Sequence, residues 1–340
     1  MKAISLAEPR RLEIIEIPEP VPGEEDVLVE PRYVGCCGSD LNAYRGLYPM
    51  IEYPRILGHE VSGVIVAKGK HVPARMEEGA HVTISPYINC GVCPACRVGR
   101  INTCQFNKTM GVLRDGAMTE RVAIHFSKVY TSNSLTLQEL ALVEPLSVGY
   151  HATNRGRVSE KDTVLVLGCG GVGLGAMAAA SRKGATVIAL DIDDTKLLQA
   201  KSFGAQHAIN SATDDVKTVI DDLTDREGVS VAIEAVGLAA TYRTAIERVA
   251  VAGRVVFIGY AKDEISFDTR LFVSKELDVL GTRNALGEFS AVIEMLESRE
   301  RPFTDIITRV VPFAETPQAL AAWDAAPQRY TKIMVEISSA

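Results

Sequence analysis

The chain has 340 residues, of which 47% are hydrophobic and 23% are charged, and its formal net charge is −7. This length predicts two domains of ordinary size rather than one core. The acidic balance argues against binding to nucleic acid or an anionic membrane, because both depend on clustered Lys and Arg. The N-terminal segment lacks the apolar run of a signal peptide, so we expect a cytoplasmic protein.

The first ninety residues predict a mainly β region. Residues 26–30 and 61–66 are short runs with strand-like period and β-branched residues, separated by turn signals. Cys37 and His59 lie 22 positions apart in this region, and Glu60 follows directly. None of these residues indicates a metal site by itself. Together with a later acid, Glu144, they make a mixed sulfur, nitrogen and oxygen set of the kind that leaves one zinc coordination position open.

A cysteine cluster follows in a loop rich in Gly and Pro. Cys90, Cys93, Cys96 and Cys104 offer four thiolates within fifteen residues, a spacing that closes a tetrahedron around zinc. Four sulfurs leave no open position, so this zinc would be structural. An iron–sulfur cluster is the alternative, since four thiolates also suit such clusters.

From about residue 162 the pattern changes to alternating strands and helices. We predict strands at residues 163–167, 186–190, 229–234, 253–259 and 277–281, and helices ending near 183, at 196–202 and at 239–250. This alternation predicts a parallel sheet covered on both faces. Residues 163–181 carry no charge, but their glycine spacing favours a turn and helix over a membrane span.

The glycines after the first of these strands match a dinucleotide-binding fingerprint. Gly168, Gly170 and Gly173, with Gly171 and Val172 between them, follow a strand and open a helix. Asp191, 23 residues after Gly168, ends the next strand, where a carboxylate binds ribose hydroxyls and repels a 2′-phosphate. We therefore favour NAD over NADP. The other interpretation of Asp191 is a helix N-cap.

The motifs GCCGSD (35–40), GHE (58–60), the four-cysteine lobe, EPLSVGYHA (144–152) and GCGGVG (168–173) occur together in this order. In this combination, over essentially the whole chain, the sequence resembles the zinc-dependent medium-chain alcohol dehydrogenase family. EPLSVGYHA is similar to the branch of sorbitol dehydrogenase and the L-galactonate, L-gulonate and L-idonate 5-dehydrogenases.

The resemblance implies an α/β fold with a GroES-like, mainly-β catalytic domain and a Rossmann domain. We expect the catalytic domain at residues 1–147, with a zinc lobe at about 88–106, and again at 287–340. The Rossmann domain would occupy 148–286 between them. Relatives of this kind are usually homodimers or homotetramers, so we also expect a homo-oligomer.

The resemblance also assigns roles to individual residues. Cys37, His59 and Glu144 would hold a catalytic zinc, with Glu60 as an exchanging ligand or a group beside the metal. Two zinc ions per subunit would follow, one catalytic and one structural. Val236 and Gly259 would join the glycine loop in binding the cofactor.

Ser39 matches the family hydroxyl that receives the proton of the alcohol, although it is also a reasonable turn residue. Asn42 stands where many relatives carry His, and it cannot titrate. A proton relay through that side chain is therefore not expected, and Tyr44, the cofactor ribose or water would replace it.

The segment Gly-Thr-Arg-Asn-Ala at 281–285 is similar to an element of dehydrogenases that act on aldonic acids. Arg283 would pair with a substrate carboxylate and Asn284 would bind a hydroxyl; the alternative for Arg283 is an acidic side chain or the cofactor. Arg45 is a second candidate for the anion. We thus expect a sugar acid or polyol substrate, with L-threonine or 2,3-butanediol as the alternative and a non-catalytic NAD-binding protein as a distant one.

Overall fold

The computed structural model describes residues 1–337 and divides the chain into two units. The first unit contains Met1–Glu144 and the chain from Phe289 onward, and the second contains Pro145–Glu288. Each unit has its own buried apolar cluster.

The strands are β1 (Lys2–Glu8), β2 (Arg11–Glu16), β3 (Asp26–Cys36), β4 (Arg55–Ile56), β5 (Glu60–Lys68), β6 (His81–Ile84), β7 (Val122–His125), β8 (Val129–Thr131), β9 (Thr163–Leu167), β10 (Thr186–Asp191), β11 (His207–Asn210), β12 (Val229–Glu234), β13 (Val249–Phe257), β14 (Asp278–Gly281), β15 (Ile307–Pro312) and β16 (Lys332–Glu336). The helices are α1 (Gly38–Tyr44), α2 (Pro94–Arg97), α3 (Leu137–Ala141), α4 (Val143–Arg155), α5 (Gly171–Arg182), α6 (Asp194–Ser202), α7 (Val216–Leu223), α8 (Ala239–Arg248), α9 (Arg270–Ser274), α10 (Phe289–Glu297) and α11 (Thr316–Ala325).

The first unit is mainly β, as the sequence predicts. A sheet of seven strands has the order β15-β16-β3-β5-β6-β8, with β7 also paired to β3, and a smaller sheet has the order β2-β1-β4. The long strand β3 pairs with β5, β7 and β16. Residues at the end of β3 and the start of β5 are therefore direct neighbours, and the chain from β16 lies beside them.

The second unit is a six-stranded parallel sheet with the order β11-β10-β9-β12-β13-β14. Together with the mainly-β first unit, it confirms the predicted combination of a GroES-like and a Rossmann fold. After Thr163 at its start, β9 is apolar and fully buried, as expected for a strand with helices on both faces. The strand order reverses at β9, where the chain moves first to β10 and later to β12 on the other side.

No helix among the residues that the structure describes is both long and apolar enough to cross a bilayer. The uncharged stretch at residues 163–181 forms β9, a glycine turn and most of α5, as the sequence predicts.

Candidate functional site

Three side chains with metal-binding chemistry meet where β3 ends and β5 begins. Cys37 caps α1 directly after β3, His59 precedes β5, and Glu60 opens it. Ligand atoms of all three residues lie within 4.8 Å of one another. Gly35 pairs with Glu60 across the sheet, and a Cβ at Gly35 would overlap the Glu60 carboxylate. The strand pairing and this glycine together create room for the cluster.

Glu60 is held by a residue that sequence reasoning missed. Lys332, at the start of β16, is 4% exposed, and its Nζ lies 2.5 Å and 2.6 Å from the two carboxylate oxygens of Glu60. The same Nζ donates to the carbonyl of Cys36 at 3.2 Å. A lysine directly before three apolar residues of a strand was the available signal, but its partner is 272 positions away.

Glu144, the second residue of α4, is also buried and accepts a hydrogen bond from the hydroxyl of Tyr87. Among residues 1–337 the mutually close ligand set contains Glu60 and not Glu144. Tyr87 is a second residue that the sequence analysis missed, and no sequence signal marks it. Each acidic ligand candidate therefore has its own partner, lysine for Glu60 and tyrosine for Glu144.

The electrostatics of this cluster fit a bound cation. Burial lowers the pKa of His59, but Asp40, Cys37 and Glu144 outweigh burial and hold that pKa well above its usual value. Burial raises the pKa of Glu144, against the opposing effect of His59. The shift of His59 reflects an excess of negative charge around its ring, whereas the shift of Glu144 comes mainly from burial. His59 Nδ1 is buried without a hydrogen-bond partner among the described residues, 3.8 Å from Asp40 Oδ1. A divalent cation would neutralise this excess, and the donor set suits zinc.

The candidate substrate residues of the first unit have different surroundings. Ser39 lies half-buried in the first turn of α1, beside Cys37. Tyr44 ends the same helix and packs in the core of the unit. Arg45 Nε donates to Asp324 Oδ1 at 2.6 Å, so its guanidinium is already paired with a carboxylate.

The four-cysteine lobe forms the second group with metal-binding chemistry. Sulfur atoms of Cys90, Cys93, Cys96 and Cys104 all lie within 4.8 Å of one another. Backbone amides point at these sulfurs, and amides of Cys96 and Gln105 lower the pKa of Cys93 to about 6. Burial and the neighbouring thiols raise the pKa of Cys96 to about 11, so the cluster keeps its proton on Cys96 and favours the thiolate, the form that binds metal, on Cys93. The four sulfurs are thus able to hold one ion with no position left open.

The glycine loop of the second unit has the predicted geometry. It connects β9 to α5, and Gly170 is the N-cap of that helix. Gly168 has φ +100°, a left-handed conformation that favours glycine. A Cβ at Gly173 would overlap the carbonyl of Gly168, whereas no described atom lies within 4 Å of the position that a Cβ would take at Gly170. The loop therefore packs tightly on one side and is open at the helix N-terminus, as pyrophosphate binding requires.

Asp191 ends β10, and its carboxylate is fixed by backbone amides. Oδ2 accepts from the amide of Cys169 at 2.8 Å, and Oδ1 accepts from that of Ile192 at 2.8 Å. The N-cap of the following helix is Asp193, which accepts from the amides of Thr195 and Lys196. N-capping therefore does not explain Asp191, and its contact with the glycine loop suits recognition of a ribose.

The remaining candidates also lie in the second unit. Val236 and Gly259 follow the carboxyl ends of β12 and β13, and Val236 packs against Gly168. Arg283 and Asn284 follow β14, and Asn284 adopts a left-handed φ of 55°. Asn tolerates this conformation better than most residues. The backbone conformation is therefore one reason for an Asn at position 284, in addition to any role in binding.

Residues 23–133 match the alcohol dehydrogenase GroES-like domain family, and residues 171–298 match the zinc-binding dehydrogenase family. The chain is 35% identical to an uncharacterised zinc-type alcohol dehydrogenase-like protein of Haemophilus influenzae, covering 98% of both chains. It is 34% identical to a sorbitol dehydrogenase of Bacillus subtilis, covering 94% of this chain and 92% of that one. It is 31% identical to L-galactonate-5-dehydrogenase of Escherichia coli K12, covering 92% of each.

Two solved structures place a nicotinamide cofactor in the same fold. An alcohol dehydrogenase of Escherichia coli CFT073 in complex with NADH has a TM-score of 0.92 and 28% identity, with 99% of each chain covered. A zinc-binding dehydrogenase of Sinorhizobium meliloti bound to NADP has a TM-score of 0.91 and 28% identity, with 98% of each chain covered.

These matches span nearly the whole chain and agree with the chemistry of both units. The protein is an enzyme that uses zinc and a nicotinamide cofactor to act on the CH–OH group of a small-molecule alcohol. It belongs to the zinc-dependent medium-chain alcohol dehydrogenase family, in the branch of the sorbitol and sugar-acid 5-dehydrogenases.

Proposed function

We propose that this enzyme oxidises a secondary alcohol of a sugar acid or a polyol with NAD. The observation that carries the proposal is the similarity over more than nine-tenths of the chain to enzymes named for L-galactonate and sorbitol. Both names describe polyhydroxylated substrates. Arg283 supports the sugar acid over the neutral polyol, because a guanidinium pairs with a carboxylate through two parallel hydrogen bonds.

The catalytic zinc belongs at Cys37 and His59, with Glu60 or Glu144 as the acidic ligand. Zinc supplies a Lewis acid that makes the alcohol proton easier to remove. Ser39 is placed beside Cys37 to accept that proton, which then leaves without passing through Asn42, because an amide does not titrate. Bound NAD would accept the hydride of the alcohol carbon at C4 of its nicotinamide ring, and the products would be a ketone and NADH.

The cofactor is NAD because Asp191 places a carboxylate, with both oxygens held by amides, beside the glycine loop. A 2′-phosphate there would meet a like charge. The lobe of Cys90, Cys93, Cys96 and Cys104 holds a second, structural zinc.

The test is NADH formation by the purified enzyme with aldonic acids, neutral polyols, L-threonine and 2,3-butanediol, repeated with NADP. We expect the largest kcat/KM with an aldonic acid and NAD. Arg283→Ala should lower that kcat/KM by about 10- to 100-fold, the range for loss of a charge-assisted hydrogen-bonded pair. Arg157→Ala, which removes an exposed guanidinium from the same unit, is the matched control.

A higher kcat/KM with neutral polyols, together with an unchanged kcat/KM in Arg283→Ala, would overturn the sugar-acid assignment. The proposed oxidation of a secondary alcohol would still stand. Preference for L-threonine would overturn the substrate class. Equal kcat/KM with NAD and NADP would contradict the role given to Asp191.

A further inference from the structure

Glu234, the last residue of β12, is fully buried and gathers three hydrogen-bond donors on one oxygen. Its Oε1 accepts from the amide of Val236 at 2.9 Å, the amide of Gly237 at 2.7 Å and the hydroxyl of Thr241 at 2.7 Å. The carboxylate therefore fixes the loop between β12 and α8 by binding three of the groups at that loop.

The backbone of the same residue holds a second segment. The carbonyl of Glu234 accepts from the amides of Ile258 at 2.8 Å and Gly259 at 3.3 Å, just after β13. The hydroxyl of Tyr242 donates to the carbonyl of Gly259 at 2.5 Å, and the Tyr242 ring stacks on Phe257. Glu234 thus links the loop after β12 to the turn after β13.

The two segments pack closely around the side chain. A Cβ at Gly259 would lie 2.7 Å from Glu234 Oε2, so glycine is required for the carboxylate to fit. Oε2 is buried and has no hydrogen-bond partner among residues 1–337. A buried carboxylate oxygen without a partner is costly. The three bonds to Oε1 stabilise the loop, and the unpaired Oε2 offsets part of that gain. A functional role for the geometry that the side chain fixes would explain why this cost is kept.

The topology indicates which half of the cofactor this geometry serves. Glu234 pairs in register with Leu167, the residue before the glycine loop, and Val236 packs against Gly168. Asp191 lies on the other side of β9, at the end of β10. A dinucleotide binds across the point where the strand order reverses, with one half over each side. If Asp191 binds the adenosine ribose, the ends of β12 and β13 lie under the nicotinamide half.

We propose that Glu234 is a positioning residue for the nicotinamide half of the cofactor. It fixes the loop that carries Val236 and the turn at Gly259, so that their backbone groups are already arranged when the nicotinamide binds. The inference rests on the proposed assignment of the adenosine half to Asp191. It does not depend on the identity of the alcohol.

The test compares Glu234→Met, which keeps the size of the side chain and removes the acceptor, with Glu234→Gln, which keeps an acceptor oxygen. Calorimetric titration with NADH and with AMP separates the two halves, because AMP carries only the adenosine half. We expect Glu234→Met to weaken NADH binding by about tenfold or more, the effect of losing at least one buried hydrogen bond, and AMP binding by less than about twofold. Glu234→Gln should stay within about threefold of the wild type for both ligands.

Asp162→Leu is the matched control, because Asp162 is a buried acid of the same unit that accepts from Ser159 before β9 begins, at the opposite end of that strand. Its loss should leave the ratio of NADH to AMP affinity unchanged. Thr241→Val removes one of the three donors and gives a milder variant if Glu234→Met does not fold. We expect it to weaken NADH binding severalfold, with AMP binding unchanged.

Equal weakening of NADH and AMP, or unchanged NADH binding in folded Glu234→Met, would overturn the inference. Failure of the wild-type protein to bind NADH would instead contradict the cofactor assignment. Failure of Asp191→Ala to weaken AMP binding would contradict the placement of the adenosine half. The two proposals can therefore fail separately.

Discussion

The hydroxyl of Tyr87 is a direct contact of Glu144, one of the two acidic candidates for the catalytic zinc. Burial and the charge of Glu144 raise the pKa of Tyr87 well above its usual value, so the hydroxyl keeps its proton and remains a donor. A donor in this position orients the carboxylate and limits its rotation. Groups that orient metal ligands in this way typically contribute 10- to 100-fold to metal affinity.

Tyr87→Phe should therefore weaken zinc binding at the Cys37 centre by about tenfold while the four-cysteine lobe keeps its ion. Competition with a chromophoric chelator measures this affinity without using turnover. Tyr53→Phe is the control, because the Tyr53 hydroxyl donates at 2.6 Å to the carbonyl of Ala43 rather than to a ligand candidate. An unchanged affinity in Tyr87→Phe, or an equal loss in Tyr53→Phe, would show that Tyr87 does not orient a ligand.

The sequence allowed the side chains of the candidate metal site to be predicted, but not the residues that hydrogen-bond to them. Three candidates can be recognised from residue type alone, because thiolate, imidazole and carboxylate groups are common zinc ligands: Cys37, His59 and Glu60. Tyr87 and Lys332 become relevant only through contacts across 57 and 272 positions. Lys332 meets Glu60 because β3 pairs with both β5 and β16, whereas Tyr87 lies in a loop and Glu144 in α4. No local pattern in the sequence encodes either contact.

The lobe that contains the four cysteines has too little buried surface to hold its own shape. Val92, Val98 and Phe106 are all more than half exposed, while two of the cysteines are buried. The regular structure within it is limited to α2, of four residues, and one short 3₁₀ turn. Hydrophobic burial therefore does not explain why this segment is ordered, and the metal ion proposed above at the sulfurs would explain it.

Cys96→Ser should reduce the zinc content from two ions per chain to one and lower the Tm by roughly 5 °C or more, since metal binding contributes to folding. Elemental analysis and calorimetry measure the two effects. Cys169→Ala, which removes a buried cysteine from the second unit, should leave the zinc content at two. One ion per wild-type chain, or bound iron with sulfide, would contradict the structural zinc.

Some of the helices and strands of the second unit were predicted from the sequence and others were not. β9 and β12 have the predicted bounds, because runs rich in β-branched and apolar residues are distinctive when nearly every position of a strand is buried. β11 and α7 were not predicted. β11 is a four-residue edge strand that contains His and Asn, and α7 is a short helix with much of its surface exposed. β11 is too short to give an alternating pattern, whereas α7 has apolar residues at 216, 219, 220 and 223, a helical period that the sequence analysis missed.

The parallel sheet of the second unit ends in a strand that is paired on one side. β14 pairs with β13, and no strand within residues 1–337 covers its other edge. Val279 on β14 is 45% exposed, and Val273 on the preceding helix is 83% exposed. An uncovered edge with apolar neighbours is a template for pairing with another chain. We propose that a second copy of this protein pairs with this edge, in line with the homo-oligomer that the sequence resemblance implies.

Val279→Pro should convert this oligomer to smaller species. The amide of Thr282 donates to the carbonyl of Phe257 on β13, so alternation along the strand directs the amide of Val279 to the outer edge. Proline removes that outward donor and leaves the bonds to β13 in place. We expect light scattering after size exclusion to give a mass about half that of the wild type, with circular dichroism unchanged. Val279→Thr keeps the amide and the shape and should remain associated. A wild-type monomer, or an intact oligomer in Val279→Pro, would place the interface elsewhere or remove it.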